Sequence, residues 1–210
     1  RKLTKEIIYI GDPMCSWCWG FAPTISKIKE HYNDTAPLNL VMGGLHAYDD
    51  FPMSDEYKAE IRHHWEDVTR ATGADFDYAF FGWEGFVLDT EPACRAVVSA
   101  RNLEVTDLLS FYESVSRSFY SENKDTTSIE TFRILAEEAK LDVDKFVQAF
   151  DSDKIKQETV NDFRIAKSLG VSGFPTVLVT EDQKYTLLTA GYQPFESLQP
   201  LIETWLEHSF

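Results

Sequence analysis

The sequence predicts an α/β protein in which helices cover a mixed four-stranded sheet and a large α-helical insertion divides the chain. Short apolar or β-branched runs that end in turn residues, which are typical of strands, occur near the two ends of the chain. Between them, residues 50–150 carry apolar residues three and four apart, as helices do. A helical segment separates the first two strand-like runs, whereas the last two have the short connection of a hairpin.

The N-terminal part of the chain predicts a strand, a helix and a second strand. "EIIYI" (6–10) and "LNLVMGGL" (38–45) have the composition of strands. "WCWGFAPTISKIKEHYN", between them, is apolar at helical spacing. Two strands that are joined through a helix pair in parallel by a right-handed crossover, so this part predicts a parallel pair.

The middle of the chain predicts consecutive helices. "SDEYKAEIRHHWEDVTRATG" begins at Ser54, a typical N-cap, and ends at Gly73. "DTEPACRAVVSARN" has Pro92 in a first turn, where its missing N–H costs nothing. "EVTDLLSFYESVSRSFY" and "TTSIETFRILAEEAK" follow with helical spacing, the second with a loose capping signal at Ser128.

The C-terminal part predicts a helix at about 153–169, a hairpin within "FPTVLVTEDQKYTLLTAG" and a final helix at about 195–207. The two ends of the chain then form one discontinuous domain from residues 1–49 and 151–210. Residues 50–150 form the inserted helical domain.

Charge and hydropathy argue against several classes of partner. The formal net charge is -15, with 35 acidic and 20 basic residues, so the mean field repels nucleic acid. The chain lacks the run of about 18 apolar residues that a membrane span requires, and its first residues lack a secretory signal. Three cysteines, an odd number, do not indicate a disulfide framework. We expect a cytoplasmic protein, although a signal removed before residue 1 would also fit.

Cys15 and Cys18, within "YIGDPMCSWCWGF" (9–21), form a Cys-x-x-Cys motif between the first strand and its helix. At a helix N-terminus, free backbone N–H groups and the helix dipole stabilise a thiolate, so we expect a lowered pKa and a nucleophile at Cys15. One turn later, Cys18 is close enough to form a disulfide with Cys15 and to release a bound substrate. The motif therefore predicts a redox-active dithiol.

A metal site and a pair of inert buried thiols are the alternatives for this motif. A metal ion needs two more ligands, for which Cys94 and five histidines are available. His63 and His64 are adjacent on a predicted helix and point about 100° apart, so they cannot both face one ion. We therefore expect no metal. Cys94 lies in a first helical turn and is either a third redox thiol or a small buried residue on an Ala-rich face.

Several segments give the chain a resemblance to a known family: "DPMCSWCWGF", the "GGL" after the second strand, "DTEPACRAV" and "GVSGFPT". A strand, then Cys-x-x-Cys at the start of a helix, then Pro23 and a later "GFPT" opening a hairpin, resembles the thioredoxin fold. The helical insertion after the second strand resembles its DsbA branch. Together these segments are similar to the FrnE-like, predicted protein-disulfide isomerase subgroup of the DsbA family. That subgroup is related to kappa-class glutathione transferases and 2-hydroxychromene-2-carboxylate isomerase.

The resemblance spans essentially the whole chain and implies a thiol-disulfide oxidoreductase or isomerase in which Cys15 attacks and Cys18 resolves a mixed disulfide. It implies no organic cofactor, because glutathione or a thioredoxin-like protein would exchange electrons with the dithiol. The substrates would be protein or small-molecule thiols and disulfides. Ser16 and Trp17 stand where Pro-Trp or Pro-His is familiar in related motifs, which leaves the direction of electron flow open.

The resemblance also implies a substrate groove beside the motif. Pro175 would lie opposite the cysteines in a cis peptide bond, leaving the backbone of Phe174 free to pair with an extended substrate segment. We expect Trp17 to be exposed and to bind apolar groups. Met14 would line the same groove or simply pack.

Two other functions stay open at this point. One is a glutathione-dependent transferase or isomerase that acts on small apolar molecules, and the other is a non-enzymatic protein-binding module that uses the insertion. Asp12, before a proline, is interpreted as a turn residue. The sequence does not indicate an oligomeric state. A series of aromatic residues is either the cap of a pocket or core: Phe76, Tyr78, Phe80, Phe81, Trp83 and Phe86.

Overall fold

The computed structural model describes residues 4–210, which form four strands and eight α-helices. Residues 1–3 of the predicted domain therefore lie outside the described residues. No helix in this part of the chain combines the length and the apolar character needed to cross a membrane. The strands are β1 (Lys5–Gly11), β2 (Leu38–Met42), β3 (Thr176–Glu181) and β4 (Lys184–Ala190). The helices are α1 (Ser16–Tyr32), α2 (Asp55–Thr72), α3 (Glu91–Asn102), α4 (Leu108–Tyr120), α5 (Ile129–Glu138), α6 (Val143–Asp151), α7 (Asp153–Ser168) and α8 (Phe195–His208).

The four strands form one mixed sheet in the order β2-β1-β3-β4. β1 pairs in parallel with β2, across the α1 crossover, and antiparallel with β3. β3 and β4 form an antiparallel hairpin whose connecting residues, Asp182 and Gln183, have φ of 51° and 68°. Positive φ at both positions is what a two-residue hairpin turn requires. The predicted mixed four-stranded sheet is confirmed.

Local capping explains several helix ends. At the start of α2, the Tyr57 N–H donates to Ser54 Oγ at 3.1 Å, and Gly73 ends the helix with φ 76°. At the start of α5, the Glu130 N–H donates to Ser128 Oγ at 3.3 Å. Side-chain oxygens at these positions bind N–H groups that have no partner inside the helix. The predicted starts at Ser54 and Ser128 and the predicted stop at Gly73 are confirmed.

Two boundaries differ from the sequence expectation. α6 is not among the predicted helices, because Ser152 alone separates it from α7 and serves as C-cap of the first and N-cap of the second. The predicted second strand extends to residue 45, whereas β2 ends at Met42. The chain leaves the sheet at Gly43 and Gly44, and Gly44 has φ 71°, which a strand cannot accommodate.

The sheet has a large hydrophobic core on one face and a small one on the other. Ile7 and Tyr9 of β1 face α1 and the helices of the insertion. Ile8 and Ile10 face α7 on the opposite side. This alternation follows from the two-residue period of a strand. The insertion therefore packs on the face of the sheet that carries α1. The division of the chain into a discontinuous domain (residues 1–49 and 151–210) and an inserted helical domain (residues 50–150) stays a prediction.

An ion pair fixes α3 of the insertion to the rest of the fold. The Arg101 guanidinium donates to both carboxylate oxygens of Asp162 in α7, at 2.9 Å and 3.0 Å. The same carboxylate accepts the Met42 N–H at 2.9 Å, and Arg101 also donates to the Leu40 carbonyl at 3.2 Å. Because hydrogen bonds satisfy the buried carboxylate from two sides, α3, α7 and β2 are held in one arrangement.

Candidate redox site at Cys15 and Cys18

The Cys-x-x-Cys motif lies at the junction between β1 and α1. Cys15 is the N-cap of α1, with extended backbone (φ -102°, ψ 121°), and its sulfur accepts the Cys18 N–H at 3.4 Å. The Trp19 N–H donates to the Cys15 carbonyl at 3.0 Å, which closes the first turn. The structure therefore places Cys15 at the start of a helix, as the sequence predicts.

Both cysteines of the motif are free, buried thiols, with Cys15 5% and Cys18 1% exposed. Hydrogen bonding with the Cys18 thiol, followed by burial, raises the pKa of Cys15 well above its usual value, against the opposing hydrogen bond from the Cys18 N–H. The expectation of a lowered pKa is therefore wrong for this closed, reduced arrangement. The helix N-terminus is present, but the hydrogen bond with the Cys18 thiol and the loss of solvent raise the pKa of Cys15 in spite of it.

We expect the alkylation of Cys15 to depend steeply on pH. Because the raised pKa keeps Cys15 a thiol at neutral pH, its alkylation rate should rise about tenfold per pH unit and continue to rise above pH ~9. Iodoacetamide labelling followed by mass spectrometry measures this rate. In Cys18→Ala, which removes the hydrogen-bonding thiol, the curve should level off at lower pH. A native rate that is already constant below pH ~7 would contradict the expectation.

The loop that precedes β3 lies against Cys15. The Cys15 thiol approaches the Phe174 carbonyl oxygen at 3.7 Å, and the Phe174–Pro175 peptide bond is cis. The Phe174 ring occupies the space over Gly43, where a Cβ atom would lie 2.2 Å from the ring. The structure thus brings Phe174 and Pro175, which are distant in sequence, next to the first cysteine of the motif.

A cavity of about 180 Å³ opens beside the motif, between α1 and α2. Met14 and Ser16 contribute to its wall on the motif side. His46 and Tyr57 bring polar groups to it and hydrogen bond to each other at 3.2 Å. Met14 is buried and Trp17 is half-buried, with its ring 6.3 Å from that of Tyr192. Trp17 is thus less exposed than expected, because it packs against the edge of the core.

The aromatic series of the insertion packs around Trp65 of α2. Its ring centroid lies 4.9 Å from Phe76, 5.3 Å from Phe80 and 4.6 Å from Phe81. Trp65 and Phe80 also form part of the cavity wall beside Cys15. The series is therefore mainly a core, and one edge of that core forms the wall of the cavity.

Asp12 and Cys94 form a buried pair beneath the motif. The Asp12 carboxylate accepts the N–H groups of Met14 and Leu45, both at 2.8 Å, which confirms its interpretation as a turn residue. It also accepts the Cys94 thiol at 3.5 Å. Burial raises the pKa of both groups. Cys94 is fully buried, as expected for a small packing residue on α3.

Three polar residues at the site carry no local sequence signal. The hydroxyls of Tyr9 and Tyr112 lie 3.1 Å apart, and burial, followed by the neighbouring Cys18 thiol, raises the pKa of Tyr9. Ser116 donates to the Pro13 carbonyl at 2.8 Å and so anchors the loop before Cys15 to α4. Tyr112 and Ser116 belong to the insertion, about a hundred residues from the motif in sequence. Only folding brings them to the cysteines, so no spacing rule could find them.

The family model of the DSBA-like thioredoxin domain matches residues 7–203 of the chain. The chain belongs to the DSBA-like thioredoxin family. The fold and family implied by the resemblance are thereby confirmed. The crystal structure of a candidate protein disulfide isomerase from Nitrosomonas europaea is 37% identical to this DSBA-like chain, with a TM-score of 0.92, and the match covers 99% of this chain and 100% of that one.

More distant relatives of this DSBA-like protein carry different names. The cytosolic disulfide reductase DsbM from Pseudomonas aeruginosa is 23% identical, with a TM-score of 0.80, and therefore shares the fold. The match covers 96% of this chain and 98% of that one, and DsbM has also been solved with GSH. The ClpXP adapter protein SpxH from Bacillus subtilis is 24% identical over 182 residues. Those residues cover 84% of this chain, which spans 58% of the length of that relative.

The described residues of the DSBA-like chain, 4–210, contain no cluster of side chains that could bind a metal ion. No three His, Cys, Asp or Glu side chains in that range are placed to hold one. His63 and His64 are both exposed on α2, and His64 also lines the cavity beside Met14 and Ser16. The polar groups concentrated at the site are instead thiols, tyrosine hydroxyls and the Asp12 carboxylate.

Proposed function

We propose that the protein is a thiol-disulfide oxidoreductase in which Cys15 is the nucleophile and Cys18 the resolving thiol. The observation that carries the proposal is the position of Cys15 as N-cap of α1, with its sulfur 3.4 Å from the Cys18 N–H and 3.7 Å from the Phe174 carbonyl oxygen. Membership of the DSBA-like family supports the same chemistry.

The proposed reaction has two exchange steps. The Cys15 thiolate attacks a substrate disulfide, forming a mixed disulfide and releasing one substrate thiol. Cys18 then attacks the Cys15 sulfur, forms the Cys15–Cys18 disulfide and releases the second thiol. The backbone beside Phe174 and Pro175 would pair with an extended substrate segment, while Met14 and Trp17 would contact its apolar side chains.

A small thiol or a redox protein would complete the cycle without an organic cofactor. Glutathione is our first choice, because the DsbM structure with GSH has the same fold. The similarity to a cytosolic disulfide reductase supports a cytoplasmic protein that reduces disulfides. The net charge of -15 would repel nucleic acid, so nucleic acid is not among the proposed partners. The substrates would be protein or small-molecule disulfides.

Two observations favour other functions. The cavity beside Met14 and Ser16 could hold a small apolar molecule, as in a glutathione-dependent transferase or isomerase. Such an enzyme would retain activity without Cys18. Similarity to the ClpXP adapter SpxH favours a protein-binding module, whose partner binding would survive replacement of both cysteines.

A glutathione redox titration followed by tryptophan fluorescence tests the proposal, because Trp17 and Trp19 flank Cys18. We expect a reversible two-electron transition in the native protein and in Cys94→Ala, and none in Cys15→Ala. The midpoint would give the direction in which the dithiol transfers electrons. A native protein without such a transition would exclude the oxidoreductase and leave the two functions above.

A further inference from the structure

The cavity beside the motif carries a buried hydroxyl that the proposed reaction does not use. Tyr120, the last residue of α4, lines this cavity and is 2% exposed. Among the described residues, its hydroxyl has no hydrogen-bond partner. The Tyr120 oxygen is also not one of the unpaired polar atoms that are sealed from solvent in this part of the chain. The small exposed fraction of Tyr120 therefore includes its hydroxyl, which opens into the cavity.

The Tyr120 hydroxyl is the polar group that the interior of the cavity leaves for a ligand. The two other polar side chains inside, His46 and Tyr57, lie 3.2 Å apart and pair with each other. The second ring nitrogen of His46 lies 3.4 Å from the Asp49 carboxylate. Burial raises the pKa of Tyr120 well above its usual value, so at neutral pH the hydroxyl is protonated and can donate. An unpaired buried hydroxyl is costly, and a ligand that accepts its proton would remove that cost.

The size and the walls of the cavity fit one aromatic ring. Trp65, Phe80 and Phe119 are each at most 2% exposed, and Leu88 is 6% exposed, so this part of the wall is apolar and buried. The volume is about 180 Å³. An apolar cavity of about 150 Å³ is enough to bind benzene. The space therefore admits a six-membered ring with one polar substituent, which Tyr120 can pair.

The cavity lies within reach of a substrate that is bound to Cys15. Met14 and Ser16, the residues before and after Cys15, both line it. Glu60 and His64 of α2 also line it and are exposed, so they mark its mouth. An extended chain advances about 3.3–3.6 Å per residue. The side chain next to the bonded substrate cysteine would therefore lie at this mouth.

We propose that the cavity is a specificity pocket for an aromatic side chain next to the substrate cysteine, with tyrosine preferred because its hydroxyl accepts a hydrogen bond from Tyr120. The inference rests on the proposed function and names the class of disulfide substrate. Tyr120 binds the substrate and takes no part in the exchange of sulfur atoms or electrons. The insertion, through Tyr120, thereby selects the substrate of a reaction that takes place on the sheet domain.

Peptide disulfides that differ in one side chain can test the pocket. The probes are the symmetrical disulfides of N-acetyl-Cys-Xaa-amide, in which Xaa is tyrosine, phenylalanine or alanine. Acid quenching and mass spectrometry give the rate at which each probe oxidises the reduced protein, divided by its rate with free glutathione. The phenylalanine probe should react about 10- to 100-fold faster than the alanine probe, because its ring is buried in the pocket. The tyrosine probe should react about 3- to 10-fold faster again, through the hydrogen bond to Tyr120.

Two variants separate the hydrogen bond from the apolar contact. Tyr120→Phe should lower the ratio of the tyrosine to the phenylalanine rate to about one and retain the preference for phenylalanine over alanine. Ile61→Trp, which enlarges a half-buried residue of the wall, should remove that preference as well. Tyr32→Phe is the matched control, because the Tyr32 hydroxyl donates to Glu203 instead, and its rate ratios should stay native.

Several results would overturn the pocket. These are equal rates of the three probes with the native protein, or a native tyrosine-to-phenylalanine ratio in Tyr120→Phe. The second test stands even if Ile61→Trp does not fold, because Tyr120→Phe removes a hydroxyl without a partner in the described chain. If none of the probes oxidises the native protein, the proposed function fails and the pocket with it. Oxidation by all three probes at one normalised rate removes the pocket alone.

Discussion

Cys18→Ser should abolish turnover while leaving the first exchange step in place. Without the resolving thiol, Cys15 can still attack a disulfide, but the resulting mixed disulfide has no intramolecular route to release. Intramolecular attack has an effective concentration far above that of free thiols in solution, so we expect turnover to fall at least about a thousandfold. The measurement is steady-state reduction of oxidised glutathione coupled to a dithiol reductant.

The trapped intermediate gives this experiment its positive readout. Mass spectrometry of Cys18→Ser after exposure to the disulfide should show one substrate thiol bound to Cys15. Cys94→Ser is the matched control, because Cys94 bonds Asp12 rather than the motif, and it should turn over without a trapped adduct. Full turnover by Cys18→Ser would instead favour a glutathione-dependent enzyme that uses Cys15 alone.

Gly43→Ala should damage both activity and stability, although it adds a single methyl group. Its Cβ atom would lie 2.2 Å from the Phe174 ring, so the ring and the loop before Pro175 must move. That loop places the Phe174 carbonyl 3.7 Å from the Cys15 sulfur. Overpacking of this kind costs about 1–3 kcal/mol of unfolding free energy. A misplaced groove should lower turnover about 100-fold.

Urea denaturation and steady-state turnover of the same preparations separate the two effects of Gly43→Ala. Gly82→Ala is a suitable control, because nothing lies within 4 Å of its added Cβ atom. Phe174→Ala combined with Gly43→Ala should recover part of the lost stability by removing the clash. Native stability and turnover in Gly43→Ala alone would show that the Phe174 loop moves freely and is not held against Cys15 by this contact.

Most of the secondary structure could be predicted because its signals are local. Ser54 and Gly73 determine the ends of α2 through hydrogen bonds and φ values within a few residues. The hairpin of β3 and β4 follows from its short connection. The sequence does not predict α6 as a separate helix. Only Ser152 lies between α6 and α7, so the local helical pattern shows no break there.

Residue order alone predicts the mixed sheet, the helical insertion and the position of Cys15 at the start of α1. Each of these depends on residue order over one or two elements. The tertiary structure determines the environment of the thiols, because that environment depends on burial and on contacts between distant segments. It raised the pKa of Cys15, where the helix start alone predicts a lower value. It also brought Phe174 to Cys15, and Tyr112 to Tyr9, from elements far away in sequence. A cysteine motif specifies which atoms can react, whereas the solvent and hydrogen bonds around those atoms depend on the packing of the whole chain.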